Sequence, residues 1–367
     1  MHWHIFCTVI DNYGDIGTTW RLAQQLTHEH QQKVTLFVDD LNALAPLVPE
    51  TDTTAMCQTL HGITVQHWTN ALPDIQPAPV VIEAFACTLP ERYRAEMVKN
   101  GSKCINLEYF SCEDWVAGCH GLPSYQSDGL KKWFFFPGIS AQTGGLLREK
   151  NLLAEKNAFC ANPQAQNDWC HQWQIPIPQA NSLKLSLFGY ENNALPDCLA
   201  QLSEQPHLVD AYCPAGKLRS SAQPLFPTQS LETGTTLTLG KLRLHLIPFL
   251  PQAEFDRLLW LCDLNFVRGE ESLARAIWAG SPFVWHIYPT DDGAHWDKLN
   301  AFLDAYAMPP TLAQLNQEWN RQTLSQDVLA QTIASLTELT QSSQQATQRI
   351  SQQKDLCSQL IAFVQSK

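Results

Sequence analysis

The feature that most constrains this chain is a pattern written twice: short apolar runs separated by longer amphipathic ones, the signature of strands and crossover helices in a parallel sheet. In the first half HIFCTVI (4–10), KVTLFVD (33–39), ITVQHW (63–68), PVVIEAF (79–85) and KCINLEYF (103–110) read as strands, with helical stretches after residue 17, near 41–47 and at 90–99. In the second half LKLSLFGY (183–190), HLVDAYC (207–213), LRLHLIPFL (242–250), LNFVR (264–268) and PFVWHIY (282–288) repeat the scheme. The fold class is therefore α/β. At about 100–200 residues per domain, 367 residues accommodate two such units.

Between the halves, NPQAQND (162–168) and IPIPQANS (175–182) form a Pro-, Asn- and Gln-rich stretch suited to a linker. The expected domains are 1–178 and 179–344. The tail at about 345–367 is helix-forming, with Leu356, Leu360 and Val364 at helical spacing, and is expected to pack back on the first domain. Two Rossmann-like sheets facing each other place ligands at their carboxyl strand ends, so the chemistry is expected in a cleft between them.

Lys and Arg total 24 against 36 Asp and Glu, a formal charge of −12, which disfavours nucleic acid or an anionic membrane as partner. Only 16% of residues are charged and 44% are hydrophobic, a well-packed composition. No apolar run approaches the roughly 18–20 residues of a membrane span, and MHWHIFCTVI lacks the basic region and apolar block of a signal peptide. A soluble, cytoplasmic protein is expected. Twelve scattered cysteines without a C-x-x-C pair read as reduced and structural; Cys112, Cys119 and His120 are too weak a cluster to argue for a metal. No metal and no cofactor are expected.

Three segments carry candidate chemistry. DNYGDIGTTWRL (11–22) follows a strand and opens a helix, but lacks G-x-G-x-x-G and puts Asp11 and Asp15 where a dinucleotide would place its phosphates. Carboxylates there suit an acceptor: Asp15 as general base, Asp11 orienting it. Equally, one aspartate caps the helix and the other satisfies the turn. LNFVRGEESLARAIWAGSPFVW (264–285) is a strand, a turn at Gly269, and a helix ended by Gly280 ahead of Pro282. Its free N–H groups, the Ser272 hydroxyl and Arg268 suit a diphosphate, and Glu270 suits a sugar or the acceptor; acidic residues and Ser also simply favour a first helical turn. In LIPFLPQ (246–252), Phe249 and Gln252, with Phe188 and Tyr190, offer an aromatic wall and an amide for a pyrimidine edge, or ordinary core.

Weaker features have plain readings. HIYPTDDGAHWDKL (286–299) has His286, Asp291, Asp292 and His295, which read as turn chemistry ahead of Gly293 rather than a metal cluster. KKWFFFPG (131–138) reads as a buried strand, and Glu83 and Glu108 follow apolar strands without an assigned role.

Taken together, DNYGDIG, NLEYFSCEDWVAGCHGLPS (106–124), FFFPG with TGGLLRE (134–149), LIPFLPQ, RGEES and FVWHIYPTDDGAHWDKL resemble the bacterial protein-arginine rhamnosyltransferases that modify elongation factor P, over nearly the whole chain. That resemblance implies a GT-B-like architecture and transfer of L-rhamnose from dTDP-β-L-rhamnose to an arginine of elongation factor P, with inversion and without a metal. Asp11, Asp15 and Glu270 fall on the family's acidic positions; Phe188, Tyr190, Phe249, Gln252, Arg268, Glu271 and Ser272 fall on its donor-binding positions. Glu271 stands where the family usually has Asp. Two alternatives keep the fold: a nucleotide-sugar epimerase or hydrolase without a protein acceptor, and a non-catalytic module that binds elongation factor P.

Overall fold

The computed structural model describes every residue except 12, 70–74 and 86. The chain forms two compact units: residues 1–150 with 292–305 and 350–367, and residues 151–291 with 306–349.

The first unit holds strands β1 (His2–Cys7), β2 (Lys33–Val38), β3 (Cys57–Leu60), β4 (Ile63–His67), β5 (Val80–Ala84), β6 (Lys103–Leu107), β7 (Pro123–Tyr125) and β8 (Lys131–Phe135). They lie in the order β3-β4-β2-β1-β5-β6-β8-β7. The six inner strands are parallel; β3 and β7 add antiparallel edges. Helices α1 (Tyr13–His28), α2 (Leu41–Leu44), α3 (Glu91–Asn100) and α4 (Asp114–Cys119) connect them.

The second unit begins with α5 (Leu152–Cys160) and α6 (Pro163–Gln172), followed by β9 (Leu183–Leu187), α7 (Leu195–Ser203), β10 (Val209–Pro214), β11 (Thr236–Leu239) and β12 (Leu242–Ile247). Next come α8 (Gln252–Leu261), β13 (Leu264–Arg268), α9 (Gly269–Ala279) and β14 (Phe283–His286). Its sheet runs β11-β12-β10-β9-β13-β14, parallel except for β11. After β14, α10 (Ala294–Tyr306) belongs largely to the first unit, α11 (Pro310–Asn320), α12 (Val328–Ala334) and most of α13 (Leu336–Ser351) to the second, and α14 (Leu356–Ser366) to the first.

In both sheets the first parallel strand sits at the middle and the strand order reverses beside it, between β1 and β5 and between β9 and β13. This is the doubly wound arrangement, and loops leaving the two strands at a reversal point diverge to open a crevice at their carboxyl ends. Strands buried on both faces explain the unbroken apolar runs: β5 is buried throughout and β1 at five of six positions. Phe6 and Phe37 stack at 4.2 Å within a core that includes Trp68, Val81, Tyr93 and Met97.

The division into units differs from the sequence reading. The expected boundary after residue 178 falls inside the second unit, whose limit is Asn151. NPQAQND is not a linker but opens α6: the Asn162 side chain caps the helix by accepting from the Ala165 N–H at 3.1 Å, with Pro163 at its first position. The helix pair is bound by Phe159, whose ring meets Trp169 and Trp260 at 5.9 Å each, and by a 2.7 Å hydrogen bond from Trp169 Nε1 to Glu254. The chain returns to the first unit at residue 350, five residues later than expected, and the 292–305 excursion had no sequence signal. No helix among the described residues is long and apolar enough to cross a membrane, and none of the twelve cysteines is in a disulfide.

One buried network ties the second unit together. Asp210 on β10 accepts from His245 Nε2 at 2.8 Å, Arg243 Nε at 2.7 Å, the Ser182 hydroxyl at 2.5 Å and the Gln179 amide at 2.8 Å. Burial pushes its carboxyl up, but the His245, Ser182 and Gln179 hydrogen bonds and the Arg243 charge outweigh it and hold the carboxyl at about 2. A depressed folded value means that this stabilisation is complete above the unfolded value of about 4 and fades as pH falls toward the folded one. Asp210→Ala should cost about 3 kcal/mol at pH 7, because it strands buried donors and a cation. Urea unfolding at pH 7 and at pH 3 checks both points: the variant should be weaker at pH 7, and its deficit should narrow at pH 3. A pH-independent deficit, or none, contradicts this role.

Candidate active site

In the first unit the candidate residues lie where β1 ends. Asp15 is the third residue of α1 and only 2% exposed. Its Oδ2 accepts the N–H groups of Ile10 and Asp11 at 2.8 Å each, so it ties down the loop that precedes its own helix. Burial raises its carboxyl; the Asp11 and Ile10 amides and the Tyr109 hydroxyl oppose that, and the nearby Asp39 carboxylate adds to it. A buried carboxyl with a raised value takes up a proton near neutrality more readily than an exposed one. The capping role is thus present, and the same environment suits a base.

Asp11 is half-buried. A Cβ at Gly14 would stand 2.7 Å from Asp11 Oδ2, and the Gly14 N–H donates to the Asp11 carbonyl at 2.7 Å. Gly14 thus closes a turn on Asp11 and leaves room for the Asp11 carboxylate as it lies. Asn12, within the same motif, lies outside the described residues.

In the second unit the candidates gather at the ends of β9, β12 and β13. Arg268, 5% exposed, places its guanidinium 5.0 Å from the Phe188 ring centroid and 4.8 Å from that of Tyr190. Phe188 also meets Phe255 at 5.1 Å, and Tyr190 meets Tyr288 at 5.7 Å. Phe249 is half-buried just past β12. Gln252, 7% exposed, donates from Nε2 to Glu271 at 3.2 Å. The carboxylate at position 271 is therefore used, as a partner of Gln252.

Glu270 is half-buried in the first turn of α9. Ser272 behaves differently from the expectation that its hydroxyl is offered to a diphosphate. Its Oγ accepts the Arg268 N–H at 3.0 Å and donates to the Arg268 carbonyl, closing the first turn of α9. What remains for an anion at this helix start is the backbone, the helix dipole and the Arg268 guanidinium.

Several candidates have other work. Asp292 accepts from the Ala294 N–H at 3.1 Å and starts α10, and Gly293 adopts φ +78°, so the TDDG segment is a turn. Glu83 is buried in an ion pair with Lys132, and Glu108 accepts from Asn106 at 2.5 Å. His120 accepts the Phe136 N–H at 3.0 Å. Among the described residues no group of three or more His, Cys, Asp or Glu is arranged to hold a metal.

Two residues at these sites escaped the sequence, and a third, His286, reads there only as turn chemistry. Asp39, just beyond β2, accepts the Val9 N–H at 2.9 Å and so shares the loop with Asp15. Tyr109, two residues past β6, stacks on Phe85 with centroids 4.6 Å apart. His286 pairs in register with Arg268 and lies 5.1 Å from the Tyr190 ring; burial, with the Arg268 charge beside it, lowers its imidazole to about 3, so it is neutral near pH 7.

Comparison with known proteins identifies the family. A model of the elongation factor P rhamnosyltransferase EarP family matches residues 3–365. The protein-arginine rhamnosyltransferase of Pseudomonas putida is 48% identical over 309 residues, 83% of this chain and 81% of that protein. That of Pseudomonas aeruginosa is 45% identical over 318 residues, covering 85% and 84%. A solved structure described as the basis for EarP-mediated arginine glycosylation of translation elongation factor EF-P superposes with a TM-score of 0.71 at 31% identity, covering 100% of this chain and 99% of that one. The UDP-GlcNAc 2-epimerase of Neisseria meningitidis, at a TM-score of 0.56 and 10% identity over 100% and 99% of the two chains, shares the GT-B-like fold alone. By the match along nearly its whole length, this chain belongs to the EarP family of elongation factor P rhamnosyltransferases.

Proposed function

We propose that this protein is an inverting, metal-independent glycosyltransferase that moves L-rhamnose from dTDP-β-L-rhamnose to one arginine side chain of elongation factor P. The observation that carries this reading is the full-length family match, joined to relatives named for protein-arginine rhamnosylation. The chemistry of the two half-sites supports it.

An arginine guanidinium has a pKa above about 12 and is a poor nucleophile while protonated. In this reading Asp11 holds it by a charge-assisted hydrogen bond, and Asp15 takes a proton as the nitrogen attacks. The new bond joins the guanidinium nitrogen to the anomeric carbon, and the bond from that carbon to the β-linked diphosphate oxygen breaks on the opposite face, leaving an α-linked product and dTDP. Arg268 and the α9 N-terminus receive the developing negative charge, with Glu271 and Gln252 fixing the donor side and Phe188, Tyr190 and Phe249 enclosing the base. Ser272 contributes by holding the first turn of α9 in shape. With a translation factor as acceptor, the reaction belongs in the cytoplasm.

Intact mass of elongation factor P after incubation with the protein and dTDP-rhamnose tests this reading. A gain of one deoxyhexose, located by fragmentation to a single arginine, is expected, and the donor should persist when the acceptor is omitted. Acceptor-independent consumption of the donor would instead establish an epimerase or hydrolase. Asp15→Asn should lower turnover by at least about a hundredfold with donor affinity little changed. Arg268→Ala should weaken dTDP binding by about tenfold or more in calorimetry, through loss of a charged contact to diphosphate. Because burial raises the Asp15 carboxyl and the base acts ionised, kcat should fall as pH drops, through an apparent value above the ordinary aspartate figure of about 3.9. A flat kcat profile across pH 4–7 would remove Asp15 as the base.

A further inference from the structure

We propose that His286 is a donor-contact residue: its imidazole gives a hydrogen bond from Nδ1 to a phosphate oxygen of the nucleotide-sugar diphosphate, in a notch that Gly189 keeps clear. This rests on the rhamnosyltransferase reading and adds to it a neutral hydrogen-bond donor beside the Arg268 cation.

Buried polar atoms are as a rule hydrogen-bonded, because an unpaired one gives up its water and gains nothing in return. His286 breaks that rule. It is the last residue of β14 and 5% exposed, and its Nδ1 is shut from solvent and makes no hydrogen bond among the described residues. The strand end that carries it is fixed on both sides: the Trp285 and Ile287 amides donate to the Asn316 and Asn320 side chains at 2.7 and 3.1 Å. The ring is held edge-on by Tyr190 and Trp319, with centroids 5.1 and 6.1 Å away and planes 80° apart in each case. Its nitrogens are therefore set in direction before any ligand arrives.

Nδ1 faces the loop that follows β9. A Cβ at Gly189 would stand 3.3 Å from Nδ1 and 3.2 Å from Leu218 Cδ2, so a side chain there would crowd the approach to the nitrogen. Gly189 has no left-handed φ, so the position calls for room rather than for backbone freedom. Its chain neighbours Phe188 and Tyr190 carry the rings that meet the Arg268 guanidinium, and Arg268 pairs in register with His286. The notch thus lies beside the group assigned to the diphosphate. Burial and the Arg268 charge keep the imidazole neutral near pH 7, which leaves it one N–H to give. A phosphate oxygen only accepts, and Arg268 favours an anion at this place. A second cation beside Arg268 would be repelled, whereas a neutral N–H adds a hydrogen bond without that cost.

Calorimetry with dTDP and with thymidine tests this. His286→Phe keeps an aromatic ring and removes both nitrogens; it should weaken dTDP binding by about tenfold or more and leave thymidine binding within about twofold. His286→Asn sets an amide N–H near the place of Nδ1 and should recover most of that loss. Gly189→Ala should also weaken dTDP, by narrowing the approach. Nitrogen-15 NMR of the wild-type histidine rings needs no substitution: dTDP should shift the His286 Nδ1 signal and thymidine should not. The proposal is overturned if His286→Phe binds dTDP as the wild type does, if His286→Asn binds no better than His286→Phe, if Gly189→Ala has no effect, or if dTDP leaves the Nδ1 signal in place. Equal losses for dTDP and thymidine would overturn it too, since they mark a ring that only packs against the pocket. None of these measurements involves transfer, so a protein that binds dTDP through His286 but rhamnosylates nothing counts against the proposed reaction alone.

Discussion

The reversal of strand order beside the first parallel strand of each sheet is the constraint on which the rest depends. Parallel strands need crossover connections, and those that wind in opposite directions from one strand must leave the backbone at its carboxyl end open on both sides. Asp11 and Asp15 follow β1, at the β1/β5 reversal; Phe188 and Tyr190 follow β9, while Arg268 ends β13 and Glu270 follows it, at the second. Each half-site is thus a consequence of topology, and the chemistry of each half comes from what the sequence places in that opening. Acidic groups occupy the first, while aromatic rings, a cation and a helix N-terminus occupy the second.

The same polar groups hold their loops in shape. Asp15 secures the amides of Ile10 and Asp11, Ser272 closes the first turn of α9, and Trp285 donates to the Gly269 carbonyl at 2.8 Å beneath it. Arg268 is buried against two aromatic faces, an arrangement that pre-orients a cation for an incoming anion while its charge is partly balanced by the ring quadrupoles. Pre-organisation of this kind moves the cost of ordering from the moment of reaction to folding. Ser272 takes part in it by closing that turn on the Arg268 N–H and carbonyl.

Much of the fold was legible because buried parallel strands are nearly continuous apolar runs. The errors are systematic. The expected strands ran on to Ile10, Phe110, Tyr190, Leu250 and Tyr288, whereas β1, β6, β9, β12 and β14 end at Cys7, Leu107, Leu187, Ile247 and His286. The overrun is apolar because those residues line the loops at the carboxyl edge, where apolar side chains range from buried (Phe110, Leu250) to exposed (Ile10, Tyr288); hydrophobicity alone does not separate strand from site. The FFFPG and TGGLLRE motifs, which helped to carry the family resemblance, turn out to dock α14: the Leu356 N–H donates to Leu146 at 2.9 Å, Arg148 reaches the Ser351 and Gln353 carbonyls, and a Cβ at Gly145 would stand 2.6 Å from the Lys354 carbonyl. Asp39 was invisible because it lies far along the chain from the Val9 amide it holds, and His286 reads as turn chemistry because only strand pairing sets it beside Arg268.

Hydrogen–deuterium exchange with dTDP, and separately with elongation factor P, tests most directly whether the two reversal points divide the reaction between them. With dTDP alone, protection is expected in the segments around 188–190, 249–252 and 268–272 and not in 8–15. With elongation factor P alone, protection is expected in the first unit, including 8–15. Protection of 8–15 by the nucleotide with none around 268–272 would contradict the division of donor and acceptor between the two sheets.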